Sequence, residues 1–299
     1  MNIFLNYYQT PEVQEANRQL AKSASIGLET AKEKMKDPGL GIKSLHARGI
    51  TGKGVKIAII DQTFTEHKEY SAQVAHVEKI NTDANTGSKH APAVASIAVG
   101  KATGVAPDAQ LYCFTSDRTD KNGKTTMKND AAAIRRIMEI NNTLPENERI
   151  SVISISAKSY EDGAEGQKEY LEAIKAAKES GLFVVTVNLD TYNNAYLLGA
   201  DRDPKGDVND VASYRPSNMI IEGFKHDSPN EAQKQEILLV PQDHRTIADG
   251  YGDKSYEYEG NQGGYSWTVP YLASTFALAK QVNPNITPEE FLQHLQAAP

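Results

Sequence analysis

An α/β domain, three layers deep with a largely parallel central sheet flanked by helices, is the fold class this sequence predicts. The continuous apolar run Val55 to Ile60 reads as a strand buried on both faces, which is the pattern of a parallel sheet. Further runs of that kind alternate with helical patterns, as crossover connections require. With 299 residues and 39% apolar content, the chain is large enough for one α/β domain with a sizeable core plus an appendage.

The elements follow in chain order. Residues 11 to about 36 are charged and helix-favouring, opened by Pro11 and closed by the breaker DPGLG. Residues 1–40 are therefore assigned to an N-terminal helical extension and 41–299 to the main domain. After RGITGKG come the buried strand and, at its carboxyl end, Asp61. Further strands are expected at Ala109–Thr115, Ile150–Ser156, Leu182–Val187, Asn218–Gly223 and Glu236–Val240. Helices are expected at NDAAAIRRIMEINN and at EYLEAIKAAKESG, where Tyr170, Leu171, Ile174 and Ala177 share one face before Gly181. Near the end, Thr287, Pro288 and Glu290 spell a capping box.

Composition narrows the function. A net charge of -7 and a pI near 5.6 argue against binding to nucleic acid or an anionic membrane, since both need a positive footprint. Mean hydropathy of -0.53 predicts a very polar surface. Cys113, the single cysteine, has no intrachain partner and reads as a buried hydrophobe in AQLYCFT. The amino terminus has no basic stretch followed by an apolar run, and nowhere are there about 18 consecutive apolar residues. Localisation stays open between the cytoplasm and a secreted chain whose leader has been removed.

Three segments carry candidate chemistry. Asp61 lies at a strand's carboxyl end, where open α/β sheets gather functional groups. His90 opens a helix rich in small apolar residues. Ser266, in GGYSWTVP, starts another helix, whose free N–H groups and dipole suit either a capping hydroxyl or an oxyanion. Each alone has an ordinary reading as a cap or a helix-start residue. Together they form a set, because a hydroxyl needs a base to become a nucleophile and the base needs a carboxylate to hold its tautomer. The remaining histidines, His46, His67, His76, His226, His244 and His294, read as solvent-exposed.

The order Asp, His, Ser is that of the subtilisin fold. GITGKGVKIAIID, HAPAVASIAVGKATGVAPDAQLY and GYSWTVPYLASTFALAKQVNPNITPEE resemble the three signature segments of the subtilisin-like serine peptidases, the subtilases, over roughly residues 41–299. The resemblance implies a subtilisin-like domain and a serine endopeptidase acting through an acyl-enzyme. It makes Asp61 the orienting carboxylate, His90 the general base and then acid, and Ser266 the nucleophile. Ser156 and Ala157 would lie beside the specificity pocket, on an edge that pairs with the substrate backbone.

Several positions depart from the family pattern. Gln62-Thr63-Phe64 and Ala91-Pro92-Ala93 follow the aspartate and histidine, Tyr265 precedes the serine, and Lys158 replaces a glycine. The family's oxyanion asparagine falls on Asn188 if two residues are deleted and on Asp190 in an ungapped count, with Asn193 and Asn194 as further options. Trp267 packs behind the site or contacts substrate. No cofactor is required and no metal ligand set is assigned. Asp201, Asp203, Asp207 and Asp210 form an acidic loop that reads as solvated rather than calcium-binding. The expected partner is a peptide or protein substrate. The rival reading is a catalytically silent relative that binds peptides in the same cleft. A nucleotide-binding protein is disfavoured because Gly52-Lys53-Gly54 precedes its strand, where a phosphate loop would follow one.

Overall fold

The computed structural model describes residues 27–82, 87–119, 124–157, 164–187, 196–217, 237–260 and 264–297. Its centre is a sheet of β1 (Lys56–Asp61), β2 (Val74–Ile80), β3 (Gln110–Ser116), β4 (Ile150–Ile155) and β5 (Phe183–Val185), in the order β2-β3-β1-β4-β5. Every pairing in it is parallel. The helices are α1 (Leu28–Lys34), α2 (Ile42–Ala47), α3 (His90–Val99), α4 (Lys128–Thr143), α5 (Gln167–Glu179), α6 (Thr268–Val282) and α7 (Pro288–Ala297).

All six residues of β1 are buried, and alternate side chains serve opposite layers. Ile57 and Ile59 pack in the core that holds Val94 and Ile97 of α3 and Leu272 and Phe276 of α6. Ala58 and Ile60 pack in the other, with Ile134 and Ile137 of α4 and Tyr170 and Ile174 of α5. The predicted three-layer α/β fold is thus what the chain adopts. Helix α5 buries Tyr170, Ala173, Ile174 and Ala177, but Leu171 is 39% exposed, so its expected place on the packed face is corrected. The capping box at α7 is present in full, with Glu290 N–H on Thr287 Oγ1 at 3.1 Å and Thr287 N–H on Glu290 Oε2 at 2.9 Å.

A second group of strands stands apart from the central sheet. β6 (Tyr196–Arg202) pairs antiparallel with β7 (Tyr214–Pro216) and parallel with β8 (Ile237–Pro241). The strand expected at Glu236–Val240 is therefore β8, and it belongs to this small sheet. The one expected at Asn218–Gly223 lies outside the described residues. β9 (Arg245–Ala248) and β10 (Tyr256–Glu259) form an antiparallel hairpin.

Helix α1 and the residues that follow it, to Gly39, strap these strands together. Ala31 and Met35 bury with Val208 and Tyr258, and Thr246 donates its N–H to the Met35 carbonyl at 2.9 Å. Arg202, fully buried, donates to the carbonyls of Asp37 at 2.8 Å and Pro38 at 2.7 Å. At Gly39, φ is +83°, and a Cβ there would stand 2.7 Å from the Val208 carbonyl, so only glycine lets the strap pass so close.

Candidate active site

Asp61 ends β1, buried to 4% exposure, and its Oδ1 accepts the Gln62 N–H at 2.7 Å. Strand β1 is central in a parallel sheet, so its last residue opens onto the sheet's carboxyl edge rather than a flank. His90 is the first residue of α3. The Ser88 hydroxyl oxygen accepts the His90 N–H at 2.9 Å and caps the helix, while the same hydroxyl donates to Gln62 Oε1. Gln62, one of the departures from the family pattern, thereby ties the aspartate strand to the histidine helix. His90 Nδ1 lies 2.8 Å from Asp61 Oδ1 and 3.0 Å from Oδ2.

Burial pushes the Asp61 carboxyl up, but the facing imidazole, Arg118 and the Gln62 N–H outweigh it and hold the group below its ordinary range. Arg118, which the sequence reading did not single out, follows β3, whose Thr115 is in register with Asp61. Its guanidinium donates through Nε to the fully buried Asp130 at 2.6 Å, and Ser116 donates to the same carboxylate. A lone arginine just past a buried strand was the available signal.

Ser266 sits in a short 3-10 turn, Tyr265–Trp267, that leads directly into α6. Ser156 at the end of β4 meets it twice. Ser156 Oγ donates to the Ser266 carbonyl at 2.8 Å, and Ser266 Oγ donates to the Ser156 carbonyl at 3.5 Å. Among the described residues that is the one hydrogen bond of the Ser266 hydroxyl, and His90 is not its partner. The ring of Trp267 stacks on His90 with centroids 5.4 Å apart and planes 28° apart. Asp61, His90, Ser156 and the Ser266 turn are thus neighbours. Ala157 donates to the Ile155 carbonyl at 2.7 Å and accepts the Val187 N–H at 3.0 Å. Asn188, Asp190, Asn193, Asn194 and Lys158 lie outside the described residues.

A model of the subtilase family matches residues 52–298. The chain belongs to the subtilase family. It is 23% identical over 256 residues to the minor extracellular protease Epr of Bacillus subtilis (strain 168), across 81% of this chain and 34% of that protein. The subtilase chain therefore spans about a third of that relative's length. The structure of the prenylagaramide maturation protease PagA is similar at a TM-score of 0.55 and 17% identity, over 84% of each chain, a likeness of fold.

Other expectations of the sequence fall out differently. Cys113 is buried in the core, where burial pushes its thiol well up, as expected of a structural cysteine. His67 and His244 are buried rather than exposed. His67 Nε2 donates to the Ser255 carbonyl at 2.8 Å, and its Nδ1 accepts the Glu69 N–H. His226 lies outside the described residues. Within the acidic loop, Asp203, Asp207 and Asp210 each accept a backbone N–H two residues on, while Asp201 is buried against Arg215 at 2.9 Å. Among the described residues no three His, Cys, Asp or Glu side chains converge as a metal site would require, and no helix is long and apolar enough to cross a membrane.

Proposed function

We propose that the chain is a serine endopeptidase that hydrolyses peptide bonds through an acyl-enzyme, with Asp61, His90 and Ser266 as its triad. The observation that carries this reading is the Asp61–His90 hydrogen bond, 2.8 Å long, with the Ser266 turn packed against the same imidazole. Ser266 Oγ attacks the scissile carbonyl carbon while its proton passes to His90 Nε2. Asp61 holds the Nδ1 proton and faces the imidazolium so formed. The Ser266 N–H meets the oxyanion, with Asn188 as the proposed side-chain donor on the sequence reading alone. The leaving amine takes the proton from Nε2 as the C–N bond breaks, and a water molecule repeats the steps to release the acid. No cofactor takes part. Peptide or protein substrates would lie past the carboxyl end of β4, beside Ser156 and Ala157.

One observation favours the second reading, a relative that binds peptides without cleaving them. The Ser266 hydroxyl rests on the Ser156 carbonyl instead of on His90. Catalysis then requires a side-chain rotation when substrate arrives, a single turn about χ1 for this half-buried serine.

Treatment with a fluorophosphonate probe decides between them. Wild type is expected to label and Ser266→Ala to lose labelling altogether. Labelling that survives the substitution, or a wild type that never labels, defeats the triad.

A further inference from the structure

The turn Tyr265–Trp267 carries two side chains of consequence, the Ser266 hydroxyl and the indole of the chain's single tryptophan. All three carbonyls of the turn are engaged. Thr268 Oγ1 donates to that of Tyr265 at 2.7 Å, Ser156 Oγ to that of Ser266 at 2.8 Å, and Arg245 Nη1 to that of Trp267 at 3.4 Å. The Trp267 N–H closes the turn onto the Gly264 carbonyl at 3.0 Å. With its three carbonyls and the Trp267 N–H held, the turn is a rigid reference from which both side chains project.

His90 lacks such a reference of its own. Its ring is hydrogen-bonded at Nδ1 to Asp61, and a bond at one nitrogen leaves the ring free to swing about that contact. The stacked indole removes this freedom. Its geometry, 5.4 Å between centroids and 28° between planes, falls in the range of offset-stacked aromatic pairs. Trp267 is itself buried, so it cannot follow a swinging imidazole without opening the core.

We infer that Trp267 is a positioning residue for His90: its indole fixes the imidazole plane relative to the turn that bears Ser266, and its π face stabilises the imidazolium formed during acyl transfer. This rests on the triad reading above. The proton balance is unchanged, because the Ser266 proton rides on Nε2 and leaves with the amine, while Trp267 neither gives nor takes one. Cation–π attraction is strongest over an indole and grows when the pair is shielded from water. A leucine keeps the site apolar but is smaller than the indole and has no face to offer the cation, whereas phenylalanine keeps a face.

The test compares Trp267→Leu and Trp267→Phe in the full chain by rate of fluorophosphonate labelling and by melting temperature. Trp267→Leu is expected to slow labelling by about 3- to 30-fold, and Trp267→Phe to recover most of it. A second measurement, made in the Ser266→Ala protein, follows the carbon-bound ring protons of His90, assigned through His90→Gln. Ring current from the indole holds them upfield; Leu removes the shift and Phe keeps part of it. Equal labelling rates in wild type and Trp267→Leu overturn the role, as does a loss that tracks melting temperature with no rescue by Phe. A labelled wild type without the upfield shift overturns the stack alone. An unlabelled wild type that retains the shift overturns the triad, and the role with it.

Discussion

Among the described residues two buried aspartates each face a histidine, and the pairs differ in what the second ring nitrogen meets. Asp61 and His90 meet at 2.8 Å where β1 ends, and the imidazole side chain keeps 19% exposure next to the Ser266 turn. Asp201 lies 3.3 Å from His244 Nε2, where the histidine side chain is 5% exposed and Tyr258 Oη lies 2.7 Å from Nδ1. In the second pair both ring nitrogens are occupied and no edge opens to a substrate. A carboxylate beside an imidazole is therefore not a site by itself; the proposed triad also needs a second nitrogen open to substrate.

The surroundings differ as much as the pairs. Around Asp61 the strands β1, β3 and β4 are largely apolar, and their one other charge, Lys56, stands at the far end of β1. Around Asp201 the strands themselves carry Arg202, Arg245 and Glu259 into the interior, and the β8–β9 connection carries His244. Burial, and then the nearby Arg202, push the Arg245 guanidinium down to about 10, a sign that cations crowd this region.

The largest expected effect separates the two histidines. His90→Gln should lower the fluorophosphonate labelling rate by at least about 10⁴-fold, while His244→Gln leaves the rate per folded molecule near that of wild type. The reverse pattern would break the comparison. Next in size, Asp201→Asn should cost on the order of 2 to 3 kcal/mol in urea unfolding, because it removes the buried carboxylate that accepts two hydrogen bonds from Arg215 and faces His244. A loss under about 1 kcal/mol would show that the group behaves as a surface ion pair does.

The smallest effects are in pH dependence, and they run in opposite directions within the hairpin region. Burial, aided by Arg202 and Arg215 against the pull of Asp201, holds His244 below its ordinary value. The unfolded chain then takes the proton first, so this contribution to stability is full above about pH 6.5 and is lost as pH falls below it. Burial, and then the Glu257 charge, raise Glu259 to about 8. Here the unfolded chain gives up its proton first, so stability is full in acid and declines as pH rises toward about 8. Glu259→Gln should gain on the order of 2 kcal/mol at pH 8 and little at pH 4, and His244→Gln should flatten the loss from pH 7 to 5, both read by urea unfolding. Gains that do not vary with pH would show that neither group carries its charge state into the fold.

Much of the central sheet was legible because a strand buried on both faces must be apolar throughout, as β1 is. The amphipathic helix α4 and the capping box at Thr287 were legible for equally local reasons. Strand β2 was not, since its alternating burial at the sheet's edge looks like polar loop sequence. Nor were β6, β9 and β10, where polar side chains lie buried, or β7, which is three residues long and largely exposed. Leu171 matched the helical spacing of its buried neighbours yet faces out, because periodicity places a face but not the width of the surface covering it.

By itself the sequence determined the α/β class, the strand that ends in Asp61, the helix that begins at His90 and the order of three candidate groups that marks a subtilase. Those features repeat within a few residues or persist as motifs, so they can be read along the chain. Only the tertiary structure decided that Asp61 receives His90, that Asp201 and His244 close on each other, and that Ser156 grips the Ser266 turn from 110 residues away. Such contacts are set by which faces the layers bring together, and a buried charge is tolerated only where distant partners meet it. The indole of Trp267 shows the limit most plainly, since its place after the serine was visible from the start and its stack on His90 was not.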